Sequence, residues 1–139
     1  MDNAAGVLGL AKRAGKIEIG EESVSAVVRL CKARLILSAS DASENSKEHA
    51  RNLAGEVGAV CAELPYDKAF LGALLGRGSP GIMAMTDLGF ALSFIEKLNA
   101  AYPGRYQDAE AALRRKQTRA NERKAKTGRA PGDSGKRRT

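Results

Sequence analysis

The sequence of 139 residues predicts an α/β protein: a three-layer α/β/α sandwich around a small mixed four-stranded sheet, with a basic C-terminal extension. Three observations carry that expectation. Apolar residues at helical spacing alternate with short apolar runs throughout residues 1–103. Two of those runs are continuously apolar, as strands covered on both faces by helices are. The charge is also unevenly divided: residues 1–103 hold 11 Lys and Arg against 12 Asp and Glu, whereas residues 104–139 hold 12 against 4. The first part is nearly neutral at −1, the second carries +8, and together they make the chain's +7.

The elements follow in order. A first helix over Val7 to Ala14 is stopped by Gly15, and a short strand covers Lys16 to Ile19. From Gly20 onward, Val24, Val27, Val28 and Cys31 fall at i, i+3, i+4 and i+7, the spacing of one helical face. A strand over Arg34 to Ser38 contains the unbroken run Leu35-Ile36-Leu37. The helical spacing returns at Ala50, Leu53, Ala54 and Val57, followed by a strand over Ala59 to Ala62. Phe70, Leu71, Leu74 and Leu75 form a shorter stripe, with Asp67 as its N-cap and Gly76 as its stop. The last strand, Ile82 to Thr86, contains Ile82-Met83-Ala84-Met85, and Ala91, Phe94, Ile95 and Leu98 mark the final helix of the globule. Pro103-Gly104 ends that helix and divides a globular domain, residues 1–103, from a basic tail, residues 104–139.

Apart from alanines, the tail offers only Tyr106 and Leu113 as apolar groups, so it is expected to form no core. Residues 105–127 lack Gly and Pro and are rich in Ala, Arg and Lys, which suits a helix formed when a polyanion neutralises the charge. Gly128 to Thr139, with Pro131 and three glycines, reads as flexible. A neutral globule with a basic arm points to a nucleic-acid partner. A solubilising extension is the other reading. A membrane helix would need a stripe of Leu, Phe or Trp opposite the lysines, and residues 105–127 show none. No apolar run approaches the ~20 residues that span a bilayer, and Met1-Asp2-Asn3 lacks the basic start of a secretory signal, so the expected location is the cytoplasm. Cys31 and Cys61 each sit within an apolar pattern and read as reduced core residues.

Catalytic signatures fail on inspection. Gly76-Arg77-Gly78-Ser79-Pro80-Gly81 matches G-x-G-x-x-G, but a helix precedes it and a strand follows, the reverse of the order that aims helix amides at a pyrophosphate. Gly135-Lys136 is followed by Arg137 rather than the Ser or Thr of a phosphate loop. His49, the single histidine, lies off the apolar face of its stripe and reads as solvated. Glu21 and Glu22 are adjacent at a helix start, where ~100° separates their side chains and acids suit the helix dipole. No nucleophile, base and orienting group assemble, so the chain reads as a binding protein with no cofactor and no metal. Aromatics are few, and those within the globule at Tyr66, Phe70, Phe90 and Phe94 sit mostly at core spacing and offer no stacking platform for single-stranded bases.

Leu8-Gly9-Leu10-Ala11-Lys12-Arg13-Ala14-Gly15-Lys16, then Gly20-Glu21-Glu22, Lys32-Ala33-Arg34-Leu35, Leu71-Gly72 and Gly76, in this order and spacing, resemble the bacterial YlxQ-type branch of the L7Ae/L30e-type ribosomal-protein family. The resemblance covers residues 4–99 and leaves the tail outside. It implies the same sandwich and, because many members bind kink-turns, an RNA ligand. The family's Gly-x-Asn-Glu motif, which meets tandem sheared G·A pairs, falls on Gly20, Glu21, Glu22 and Ser23. The loop that covers a flipped-out base in relatives falls on Gly76 to Gly81, and so includes Arg77, Gly78, Ser79 and Pro80. Here Glu22-Ser23 replaces Asn-Glu, and a lysine of the next turn is Ala26, so the resemblance implies RNA binding more firmly than kink-turn specificity.

The expectation is a non-catalytic, monomeric RNA-binding protein associated with ribosomal or other structured RNA. Lys12, Arg13 and Lys16 would hold phosphates beside Gly20 if they share its face. Arg114, Arg115, Lys116, Arg119, Arg123, Lys124 and Lys126 would make the tail's phosphate contacts. The alternative is an adaptor that contacts ribosomal or transcription-factor proteins, its tail merely electrostatic.

Overall fold

A computed structural model describes residues 3–76, 78 and 80–128; the side chains of residues 126–128 lie outside that description, as do Arg77, Ser79 and the stretch 129–139 expected to be flexible. Ten elements follow one another: α1 (Asn3–Arg13), β1 (Ile17–Ile19), α2 (Glu21–Arg29), β2 (Leu35–Ser38), α3 (Glu44–Val57), β3 (Val60–Glu63), α4 (Lys68–Leu75), β4 (Ile82–Met85), α5 (Leu88–Ala101) and α6 (Gln107–Gly128). The strands lie in the order β1-β4-β2-β3. β2 and β3 run parallel, while β4 is antiparallel to both β1 and β2, so the sheet is mixed as the sequence predicts.

The continuous apolar runs are explained by the layers. Every residue of β2 and β4 is buried. Leu35, Leu37, Met83 and Met85 face one core, shared with α1, α4, α5 and α6. Ile36, Ile82 and Ala84 face the other, shared with α2 and α3. Alternate residues of a strand point to opposite faces, so filling both cores calls for apolar residues in succession, with Ser38 at the end of β2 as the buried polar exception. Register places Ile36 opposite Ala84 and Leu37 opposite Met83, which keeps each pair on one face.

The helices begin and end where their backbone groups find partners. Ser43, Asp67 and Asp87 cap α3, α4 and α5 by accepting from the backbone N–H three residues on, at 3.1, 2.8 and 3.0 Å. Asp67 and Gly76 thus act as the start and stop read from the sequence, Gly76 in the left-handed region at φ 70°.

Cys31 departs from the sequence reading. The i+7 position of the apolar stripe places it on the inward face, yet α2 stops at Arg29 and Cys31 is exposed. Its N–H donates to the Val28 carbonyl, the Lys32 N–H donates to the Val27 carbonyl, and Cys31 takes φ 57°. This is a Schellman closure with cysteine where glycine is usual. Cys61 on β3 is half-buried, and burial pushes its thiol pKa up despite Arg51 nearby.

The larger correction concerns residues beyond Pro103. The expectation that they form no core fails, because Tyr106 and Leu113 are buried in the cluster that holds α1, α4 and α5. Two apolar groups cannot build a core, but they can complete an existing one. α6 lies antiparallel to α5, as the pairs Asn99–Glu110 and Glu96–Arg114 show. Tyr106 donates its hydroxyl to the Glu63 carbonyl at 2.7 Å, and burial raises the hydroxyl's pKa, so it stays a donor. Glu110 accepts from Asn99 and Arg114, and these two hydrogen bonds hold its carboxyl below the ordinary carboxylate range. Ala, Arg, Lys and Gln are strong helix formers, which carries the helix beyond the docked turns.

Two substitutions check this packing. Leu113→Ala is expected to cost about 2–4 kcal/mol in urea unfolding, the range for a fully buried leucine; a loss near zero would mean that α6 is not part of the core. Cys31→Gly is expected to stabilise the protein by roughly 0.5–1 kcal/mol, since relief of about 1–2 kcal/mol of left-handed strain exceeds the extra chain entropy of glycine. Destabilisation by this change would contradict the assigned helix end.

Candidate nucleic-acid interface

Gly20 joins β1 to α2. Its φ of 97° and ψ of 157° lie where side-chain-bearing residues are strained. Its N–H donates to the Ile82 carbonyl at 3.0 Å, and its carbonyl accepts from the Val24 N–H at 2.9 Å. Gly20 has no side chain to cap α2, so among the described residues the first-turn amides find no acceptor at the N-cap position. On the neighbouring strand, the Gly81 carbonyl accepts from the Ala39 N–H at 2.8 Å. The entrance to β4 is therefore pinned from both sides, to Gly20 and to the end of β2.

These bonds set the Gly20 turn beside the last residues of the loop 76–81. Gly20, Glu21, Glu22 and Ser23 share one open cleft of about 500 Å³ with Pro80 and Gly81, which the earlier glycines of that loop, Gly76 and Gly78, do not line. Pro80 is buried, whereas Gly76 and Gly78 are exposed. Arg77 and Ser79 fall outside the described residues.

The two adjacent glutamates have separate surroundings. Glu21 Oε1 lies 2.9 Å from His49 Nδ1 on α3, while Glu22 has no ion pair among the described residues. His49, read from the sequence as solvated, is partly exposed, and its pairing with Glu21 is what the sequence reading lacks. It stands next to the inward-facing Ala50 and so borders the α2–α3 seam. Only the packing of α2 on α3, 28 residues apart along the chain at this contact, reveals the pair. It is a surface contact that fixes the direction of Glu21 more than it stabilises the fold.

Lys12, Arg13 and Lys16 do not group with Gly20. Lys12 and Arg13 occupy the last turn of α1, and the Lys16 carbonyl accepts from the Thr86 N–H and hydroxyl at the far end of β4. The length of β1 separates Lys16 from Gly20 by about 13 Å at 3.3 Å per residue. All three are exposed, at the opposite end of the sheet from the cleft.

The cations of α6 fall into distinct groups. Arg114 is engaged by Glu96 at 2.6 Å and Glu110 at 2.8 Å. Arg115, Arg119, Arg123 and Lys124 are exposed, and Lys116 is half-buried. Lys116, Arg119 and Arg123 meet Arg34 at the end of the sheet where Lys16 lies. The Lys126 side chain lies outside the described residues. Among the described residues no group of His, Cys, Asp and Glu is arranged to hold a metal ion, and no helix is long and apolar enough to cross a membrane.

The chain is similar to the RNA-binding protein YlxQ of Enterococcus faecium, with 35% identity over 88 residues, covering 63% of this chain and 84% of that protein. It is similar also to the RNA-binding protein YlxQ of Bacillus subtilis strain 168, with 34% identity over 97 residues, covering 67% and 92%. Its fold matches a solved structure of a protein with unknown function from Bacillus halodurans C, at a TM-score of 0.65 and 23% identity, over 71% of this chain and 99% of that one. No family model matches the sequence.

Backbone geometry at the cleft gives a direct check. Gly20→Ala is expected to lower stability by about 1–3 kcal/mol, because its φ and ψ admit essentially only glycine. Gly78→Ala, with open space where its Cβ would stand and no positive φ, is expected to be nearly neutral. Equal stability of the two variants in urea unfolding would contradict the assigned conformation of Gly20.

Proposed function

We propose, because the chain belongs to the YlxQ-like branch of the L7Ae/L30e-type ribosomal-protein family, that it is a non-catalytic RNA-binding protein of the cytoplasm acting on ribosomal or other structured RNA. The reader is the cleft between Gly20 and Gly81, and its preferred target is a kink-turn-like element. The observation that carries this reading is the shared wall formed by Gly20 to Ser23 and Pro80-Gly81. Uncapped amides of α2 supply donors to RNA acceptors, and the bare backbone at Gly81 allows close approach. Glu22, exposed and without an ion pair among the described residues, accepts from base amino groups, which phosphates cannot offer. Such irregular elements suit folded RNA better than the deep groove of an A-form duplex.

The exposed cations of α6 add affinity without sequence information, because phosphate contacts position a protein rather than select a sequence. Arg114 is excluded from this role by its two carboxylate partners. Removing the chain after Pro103 is no clean test of these cations, since it also strips Tyr106 and Leu113 from the core.

A gel-shift at moderate salt compares a kink-turn RNA with a control whose tandem G·A pairs are replaced by Watson–Crick pairs. The kink-turn is expected to bind more tightly, and Glu22→Ala is expected to reduce that preference about tenfold, as loss of one good base contact does. Equal binding of both RNAs by parent and variant would overturn the cleft as reader. Absence of any RNA binding would favour the adaptor role instead.

A further inference from the structure

We propose that the end of the sheet opposite the Gly20 cleft is a second RNA site. In it Arg34 of the sandwich and Lys116, Arg119 and Arg123 of α6 clamp backbone phosphates of the same RNA that the Gly20 cleft reads. The proposal rests on the RNA-binding reading above and adds a distinct location, a set of residues and a constraint on the ligand.

The site is composite. Arg34 immediately precedes β2, and its N–H donates to the Met85 carbonyl at 2.9 Å, which fixes it at the exit of β4. Lys116, Arg119 and Arg123 follow at i, i+3 and i+7, one face of α6. Together with Thr86, Asp87, Leu88 and Ala120 they line a cleft of about 530 Å³. Gly58 closes α3 at φ 67°, and Lys116 Nζ lies 4.0 Å from where a Cβ on Gly58 would stand, so the ammonium is held close to that helix end. None of this exists in the sandwich alone, because three of the four cations belong to α6.

Four cations share this cleft with one acid, Asp87. Arg114, half a turn before Lys116, is neutralised by Glu96 and Glu110, and Lys47 by Glu44 and Glu63. Among the described residues no carboxylate lies within ion-pair distance of Arg34, Lys116 or Arg119. Asp87 is the acid of the cleft, and its Oδ1 is already used to cap α5. The cations feel one another: burial first, then the charges of Arg119 and Arg34, hold Lys116 below the ordinary lysine pKa. Clustered like charges repel, and an incoming polyanion lowers that cost. Lys12, Arg13 and Lys16 extend the positive surface at this end, Lys16 through its carbonyl contact with Thr86.

The ligand follows from geometry. β4 and its flanks place about 20 Å between Gly81 and Asp87 at 3.3 Å per residue. A free phosphate or a short oligonucleotide fills one site and leaves the other. An RNA with a helical arm leaving the kink can reach both, and the second contact is then intramolecular.

The test uses the full chain with Arg34→Gln/Arg119→Gln, two exposed positions whose change is expected to leave thermal unfolding unaltered. The probes are kink-turn RNAs with a short and a long flanking helix. For the long-arm RNA the log–log salt dependence is expected to become shallower by about 1–2, the loss of two phosphate contacts. Binding of the short-arm RNA is expected to weaken less than that of the long-arm RNA, and the preference for kink-turn over control to stay unchanged. Arg34→Lys/Arg119→Lys is expected to restore the steep dependence. An unaltered slope with the long arm would overturn the second site while leaving the Gly20 reader intact, and an equal loss with both arms would deny that it is separate. Failure of the parent chain to bind either RNA in dilute buffer would instead remove the underlying reading. Tighter binding of polyglutamate than of long-arm RNA by the parent would reassign the cleft to an acidic protein segment.

Discussion

Tyr106 reaches the Glu63 carbonyl at the edge of the sheet, and Leu113 fills the space beside α5; the positions of Lys116, Arg119 and Arg123 on α6 depend on these two anchors. Without them, a helix with so few apolar groups would gain nothing by packing and would behave as a mobile polycation. With them, the first turns of α6 share the core of the sandwich, and the bridges from Asn99 to Glu110 and from Glu96 to Arg114 set its rotation about its own axis. That rotation directs Lys116, Arg119 and Arg123 toward Arg34. Burial of two side chains thus converts diffuse charge into charge at a fixed place.

β4 connects the two ends of the molecule. Like β2, it is buried along its whole length and paired on both sides, here to β1 and β2. At its entrance stand Gly81 and, across a backbone hydrogen bond from Ile82, Gly20; at its exit stand Thr86 and Asp87, beside Arg34. A close-packed interior does not stretch, so the separation between the ends is set by the fold. In the proposed arrangement a base-reading cleft and a phosphate clamp sit on one rigid rod. Linkage of this kind raises affinity for an RNA that spans both without any new base contact.

Much of this was legible in the sequence, and the parts that were not share a cause. The strands appear within a residue of where spacing places them, because period and burial are local consequences of layering, whereas α1 starts at Asn3, four residues before the expected Val7. Gly20 and Gly76 are readable for the same reason: a helix start and a helix stop each demand particular backbone angles. Cys31 misleads because an apolar stripe can run past the residue at which the backbone closes its last turn. Tyr106 and Leu113 are too few to suggest packing when the tail is weighed alone; their value depends on a vacancy beside α5 that no single segment encodes. His49 with Glu21, and Arg34 with Lys116, are long-range neighbours, invisible to any window along the chain. Lys12, Arg13 and Lys16 illustrate the converse, since sequence proximity to Gly20 says nothing about which end of β1 they occupy.

Amide hydrogen exchange of the free, full-length protein tests the docked helix most directly. If α6 is part of the core, amides of residues 110–118 exchange about as slowly as those of α5, since both are then released only by opening the same packed unit. Exchange at unprotected rates across 110–118, with α5 still protected, would contradict the account and return the basic segment to the status of a mobile arm.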